Sequence, residues 1–253
     1  RDRSPSRGLG DVYKRQLVSF FDLKEAFFTE HSLGPMMYDM FRRFLRDAGL
    51  NEKNHFTSFA ELIEQIGWES DTALGLMMVN LAMENPQIAW YVNTLDIGVY
   101  YERKQVEEML TSLDVKPKDA KSIVKSYKRI METPFGTTLN FGYFTDDENI
   151  VRLKWSMSDN RVFLYALYRF VEKCNLNREF NVSYLFDESI ERDGVSPVRL
   201  FGLYDEEELR NVLLGLSARY PNFINATYTN DLQSISLRDK SSSDVLKLFE
   251  EEY

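Results

Sequence analysis

The chain has 253 residues, 43% hydrophobic and 14% aromatic, which suits one or two folded domains and excludes wholesale disorder. Its 40 acidic residues outnumber 31 basic ones, a net charge of −9, so non-specific nucleic-acid binding over the whole surface is disfavoured and only a local basic patch is left for it. One cysteine and two histidines exclude a disulfide framework and an ordinary structural zinc site, and the cysteine usage fits a reducing cytoplasm.

Residues 1–16, RDRSPSRGLGDVYKRQ, stand apart from the rest. SRGLGDVYKRQ resembles the translation of a transposase sequencing adapter and its mosaic end, and the first methionine is Met36. Read as a scar, the segment is set aside from fold reasoning, and the native N-terminus is expected to be missing; a natural basic arm is the competing reading. Without it, 26 basic residues face 38 acidic ones and the net charge falls to −12.

Residues 17–30 read as a short helix. Gly34-Pro35 opens a second, with Met36, Met37, Met40, Phe41, Phe44, Leu45 and Ala48 on its inner stripe, Arg42, Arg43 and Arg46 on its outer side and Gly49 at its end. Phe59, Leu62, Ile63 and Ile66 predict a one-sided helix, and Ser70 caps another over 71–84. That second helix is apolar nearly all round, so it must be covered on both sides. Ile88, Trp90 and Val92 alternate with Ala89 and Tyr91, predicting one arm of a β-hairpin whose other arm holds Ile97, Val99 and Tyr101. A helix over 103–113 closes this stretch.

Pro117 begins a helix reaching Met131, with Ala120, Ile123, Val124, Tyr127, Ile130 and Met131 on one side. Lys118, Lys121, Lys125, Lys128 and Arg129 make a basic stripe on the other. Residues 133–155 are turn-rich, with a hairpin around Asp146-Asp147-Glu148-Asn149; helices over 160–174 and 178–190 follow. The stretch 196–237, SPVRLFGLYDEEELRNVLLGLSARYPNFINATYTNDLQSISL, then reads as helix, turn at Gly202, longer helix, stop at Pro221 and hairpin, the core order of a winged helix. Residues 59–101 follow the same plan: Gly67 and Gly202, Leu74 and Leu209, Leu81 and Leu216, and Pro86 and Pro221 are each 135 positions apart. These matches predict an internal duplication and a mainly α fold with small β-hairpins, in two winged-helix-like units over 17–132 and 133–253.

No catalytic residue, cofactor or metal ligand is expected. Phosphate-loop, dinucleotide, zinc-protease and hydrolase-elbow patterns are absent from the sequence. Cys174 falls in an apolar stripe and reads as a small hydrophobe, His31 and His55 as surface or capping residues, and Asp146, Asp147 and Glu148 as a solvated turn. Trp90, Tyr91, Tyr100 and Tyr101 read as core rather than as base-stacking platforms. The helix after Gly202 begins Asp205-Glu206-Glu207-Glu208, which complements its dipole and repels phosphate, and the helix over 71–84 is too apolar to read base edges. DNA is therefore a second choice behind protein partners, or a catalytic domain in cis on the N-terminal side. The lysine stripe is the best nucleic-acid candidate, a solvated face being its ordinary reading; the functional one gains weight if Arg42, Arg43 and Arg46 lie beside it. The longest apolar run, ALGLMMVNLAM, is too short to span a bilayer, so no membrane is expected.

GLSARYPNFINATYTNDLQSISL with SSSDVLKLF resembles the C-terminal region of large bacterial phosphoadenosine phosphosulfate reductase-like proteins. LGLMMVNLAMENPQIAWYVNTL with SIVKSYKRI resembles a related domain of unknown function found beside phosphorothioate DNA-modification systems. Both are packing patterns. The family's SGGxDS-type phosphate loop and its cysteine near an ECG motif have no counterpart here, since the only cysteine sits in VEKCNLN. The resemblance therefore implies a non-catalytic accessory region that docks partners or helps to position DNA, with a stand-alone winged-helix DNA-binding regulator as the alternative.

Overall fold

A computed structural model describes residues 7–188, 193–229 and 231–250. The chain opens with α1 (Arg7–Leu23), a 3₁₀ turn (Lys24–Ala26), α2 (Phe27–Glu30) and α3 (Pro35–Asp47). The helix expected over 17–30 thus starts earlier and breaks at Lys24, whose φ is +51°. Tyr13, Leu17, Phe20 and Phe21 fall on one helical face and are buried, with Tyr13 edge-on to Phe41 and Phe44 at 5.2 and 5.5 Å. A minimal hairpin, β1 (Asn51–Glu52) and β2 (His55–Phe56), leads into α4 (Ser58–Ile66) and α5 (Asp71–Glu84). Thr57 and Ser70 cap these helices by accepting from the Ala60 and Ala73 amides.

As its sequence requires, α5 is buried continuously from Ala73 to Met83. Its one polar side chain there, Asn80, is satisfied: it donates to the Ala48 carbonyl at 3.1 Å and accepts from the Tyr165 hydroxyl at 2.7 Å.

The hairpin expected over 88–101 is not formed; its first arm is a helix, α6 (Pro86–Thr94). Two local causes select it. Pro86 occupies the first helical turn, and the Asn85 side chain accepts from the Gln87 and Ile88 amides. Moreover Ile88, Tyr91, Val92 and Leu95, the buried set, are spaced for a helix, and the alternation read from Ile88, Trp90 and Val92 was only half of that pattern.

From α6 onward two stretches, here called passes, share a sheet order while differing in their short helices. The first pass is α6, β3 (Tyr100–Glu102), α7 (Arg103–Thr111), α8 (Pro117–Met131), the short α9 (Pro134–Thr137), β4 (Gly142–Phe144) and β5 (Asn149–Arg152). Its antiparallel sheet has the order β3-β5-β4, so the hairpin expected around 146–149 is present. The second pass is α10 (Arg161–Cys174), β6 (Glu179–Asn181), a 3₁₀ turn (Val182–Leu185), α11 (Pro197–Phe201), α12 (Glu206–Arg219), β7 (Ile224–Tyr228) and β8 (Gln233–Leu237). Its sheet order is β6-β8-β7, and α13 (Ser242–Glu250) follows. In both passes the strand after the first helix pairs with the last strand of the hairpin. The helix expected over 178–190 is instead β6 and the 3₁₀ turn; residues 189 and 190 of that stretch lie outside the described residues.

Arg152 joins the two passes. Its guanidinium, 1% exposed, donates to the Val92 and Leu95 carbonyls, both at 3.0 Å, and to the Arg199 carbonyl. It thus closes the C-terminal end of α6 and ties it to α11. Arg199 reinforces the same end, donating to the Val92 and Asn93 carbonyls at 2.8 and 3.0 Å and pairing with Asp96 and Glu188. Gly202 ends α11 at φ +71°, where an added Cβ would stand 2.2 Å from the Ile97 Cδ1 and 3.3 Å from the Lys154 Cα. Gly202→Val is therefore expected to lower stability by roughly 2–3 kcal/mol, read by chemical denaturation, with Gly215→Ala as the open-space control expected to lose nothing.

Candidate nucleic-acid interface

The lysine stripe lies on α8, the third helix of the first pass and the counterpart in order of α12 in the second. Ala120, Ile123, Val124, Tyr127, Ile130 and Met131 are buried, as the periodicity requires. Lys118, Lys121 and Lys125 are exposed on the opposite side, and none forms an ion pair among the described residues. At 1.5 Å rise per residue they span about 10 Å, a length over which one duplex strand presents roughly three phosphates. Lys116, which the stripe as read from the sequence left out, is exposed just before Pro117 and extends the row. Its signal was visible as Lys-Pro-Lys at a helix start.

The other two stripe cations are engaged. Lys128 pairs with Glu148 at 2.5 Å and lies 5.4 Å from the Phe144 ring centroid. Glu148 also accepts from Arg103 at 3.1 Å, so it staples the β4–β5 turn to α7 and α8. Arg129 is half-buried, with its Nε buried and without a hydrogen-bond partner, and its charge acts on the Tyr13 phenol.

On α3, Arg42, Arg43 and Arg46 are all exposed, but their surroundings differ. Arg42 lies 5.9 Å from the Tyr38 ring, which stacks on His31 at 3.9 Å. Arg46 grips Asp47 at 2.8 Å. Arg43 forms no ion pair among the described residues and, with Asp47, Asn85, Gln87 and Ser126, lines a cleft of about 300 Å³ walled by α3, α6 and α8. Arg43 thus shares a cleft with the Ser126, Tyr127 and Ile130 side of α8, Lys118, Lys121 and Lys125 do not line that cleft, and Arg129 is turned inward.

The Lys128–Glu148 hydrogen bond, with the nearby Lys128 and Arg103 charges, holds the Glu148 carboxyl below its ordinary range. Because its folded pKa is depressed, this contribution to stability is present above the ordinary carboxylate pKa and is lost as pH falls through the folded value. Glu148→Gln frees Lys128 on the α8 face. If that face holds phosphate, duplex affinity at low salt is expected to rise about threefold and the salt slope to steepen by about one contact. Fluorescence anisotropy across a salt series checks this, and unchanged affinity would rule out a phosphate contact from Lys128.

The second pass has the opposite character. Asp205 accepts from the Glu208 amide at 2.8 Å as the α12 cap, Glu206 and Glu207 are exposed, and Glu208 pairs with Lys154 at 2.5 Å. Cys174 is half-buried. Asp146 and Asp147 are exposed, as a solvated turn requires. Tyr91 is fully buried, its hydroxyl donating to the Phe141 carbonyl at 2.9 Å. Tyr100 is not core: it is 62% exposed and its hydroxyl meets that of Tyr143 at 3.3 Å, flanking Val151 in register. Strand alternation puts it on the outer sheet face, which sequence spacing alone does not distinguish from the inner one. No group of three or more His, Cys, Asp or Glu side chains converges on a metal-sized site among the described residues, and no helix there is long and apolar enough to cross a membrane.

Fold and surface define a mainly helical protein with two small three-stranded antiparallel sheets, a basic stripe on α8 and an acidic first turn on α12. No family model and no curated protein matches the chain. Among solved structures, the chain is similar to SspB, with a TM-score of 0.64, and to magnesium ion-bound SspB, with 0.63. Each match has 14% identity and covers 96% of this chain and 84% of the other. The likeness is one of fold.

Proposed function

We propose that the two passes are tandem winged-helix units, over 86–152 and 161–237, and that the first holds a nucleic-acid backbone through α8. Helix, strand, helix, helix, strand, strand with the first strand beside the last is the winged-helix order, and α8 then stands where a recognition helix stands. The observation that carries this reading is the row of exposed, unpaired lysines, Lys118, Lys121 and Lys125, at that position. DNA contact, the second choice on the sequence alone, becomes the preferred reading because this proposal assigns the recognition position to the basic α8 rather than to the apolar α5.

In this proposal the chain is a non-catalytic accessory region of a phosphoadenosine phosphosulfate reductase-like protein serving a DNA phosphorothioation-associated system. Support comes from the packing patterns that resemble those proteins and from the two kinds of charged face the chain carries, lysines on α8 and carboxylates at the start of α12. The internal duplication belongs to the same proposal, with α8 and α12 as counterparts in place of the pairing at 135 positions. A salt titration of duplex binding tests the DNA part. The adjoining gene sequence tests the kinship: a fused nucleotide-binding domain with an SGGxDS-type loop supports it, and a start codon just before Leu17 with no such domain rejects it.

A further inference from the structure

The region of the second unit that corresponds to the α8 face is a groove of opposite charge. About 790 Å³ of space lies between the first half of α12 and the β7–β8 ribbon. Its lining is mixed: Val182, Phe186, Leu209 and Leu214, the last 36% exposed, supply an apolar strip among polar side chains. Glu206 and Glu207 line it as well, exposed and without an ion pair among the described residues, whereas Glu208 is occupied by Lys154. Within it the Tyr228 Oη is buried and has no hydrogen-bond partner. Arg210 lines the groove too, forms no ion pair with these carboxylates among the described residues, and lies 5.3 Å from the Tyr228 ring centroid, so two carboxylates face one guanidinium.

A phosphate backbone would meet Glu206 and Glu207 at the place where a recognition helix approaches DNA, so this groove repels nucleic acid. A second copy of the chain offers the α8 lysines, but the apolar residues of α8 are buried in its own core, so it would bring charge without anchors. We infer that the groove docks a basic amphipathic segment of a partner protein. Apolar side chains at helical spacing enter between α12 and the ribbon, Lys or Arg side chains flank them against Glu206 and Glu207, and a carbonyl or amide oxygen of the segment accepts from Tyr228 Oη. Leu214, exposed though apolar, becomes the natural rim of such a contact. The inference rests on the winged-helix reading of the second unit but uses no residue of α8 or α3, so a failure of duplex binding through α8 does not overturn it.

The test uses the whole chain and a fluorescein-labelled synthetic peptide of about four helical turns, with Leu and Trp at i, i+4 and i+7 and lysines on both flanks. A peptide of identical composition with the spacing scrambled is its control. By anisotropy at low salt, the patterned peptide is expected to bind at least about fivefold tighter than the control. Glu206→Lys with Glu207→Lys should weaken it about tenfold or more, and so should Leu214→Asp. All three positions are on the surface; a photoreactive group in the peptide's apolar stripe that crosslinks to Leu214 or Tyr228 of the unaltered chain gives a reading independent of the variants' folding. Equal binding of the two peptides, unchanged affinity after charge reversal, or crosslinks only outside the groove would each overturn the inference.

Discussion

Replacing Lys118, Lys121 and Lys125 together by glutamate is expected to reduce duplex binding at low salt by about 100-fold or more. The physical basis is counterion release: each lysine that neutralises a phosphate contributes about 0.9 to the slope of log affinity against log salt. Losing three contacts should therefore flatten that slope by roughly 2.7, and the reversed charges add repulsion at whatever distance remains. Fold disruption is not expected, because all three side chains are exposed and carry no ion pair that the substitution would break. The same variant should leave binding to the acidic α12 groove unchanged. Filter retention and anisotropy over a salt series read both quantities. Duplex binding by the unaltered chain that is absent at low salt, or equal in the triple variant, would refute α8 as the contact. A separate Arg43→Ala variant asks whether the α3–α8 cleft shares the footprint; a loss of several-fold is expected, since Arg43 is the α3 arginine that lines that cleft without an ion pair.

The second large effect concerns stability. Arg152→Met is expected to cost about 3–5 kcal/mol, equivalent to a fall of roughly 10 °C in Tm for a chain of this size. Methionine fills most of the volume but supplies no donor, so the carbonyls of Val92, Leu95 and Arg199 lose the guanidinium that serves all three. Burial pulls the Arg152 pKa below the ordinary arginine value, and the nearby tyrosines Tyr204 and Tyr91 pull the other way. That charge is tolerated because the carbonyl dipoles at the end of α6 surround it. Lysine is no substitute: its single ammonium cannot span the ends of α6 and α11 at once. Thermal unfolding followed by circular dichroism checks this, with Lys104→Met, 83% exposed at its side chain, as the control expected to shift Tm by less than about 1 °C. A Tm loss from Arg152→Met no larger than the control's would show that Arg199 alone closes the helix.

Helices with one-sided periodicity and a marked start were legible residue by residue. The Pro117–Met131 helix, the all-round apolar α5 and the Asp205-capped α12 needed only their own stripes and caps. The 88–101 stretch was misread because Ile88, Trp90 and Val92 satisfy strand alternation while Ile88, Tyr91, Val92 and Leu95 satisfy a helix. The Asn85 side chain and Pro86 break that tie locally, and they carry more weight than the β-branched content. The strand β6 was missed because three residues are too few for a period, and only pairing with β8 gives their backbone groups partners. In the candidate site, the cations were visible as charges, but their commitments were not. Lys128 is held by Glu148, twenty residues away, and Arg46 by its neighbour Asp47.

By itself the sequence determined which faces are apolar, where most helices begin, and that one helix carries a dense basic stripe within an acidic chain. Local hydrogen bonding and hydrophobic period are short-range, so they are written in consecutive residues. Only the tertiary structure decided which strands pair into the two three-stranded sheets, that Arg43 stands across a cleft from α8, and that a buried arginine joins α6 to α11. Those facts depend on strand pairing and on contacts between residues tens of positions apart, and no local pattern encodes such distances.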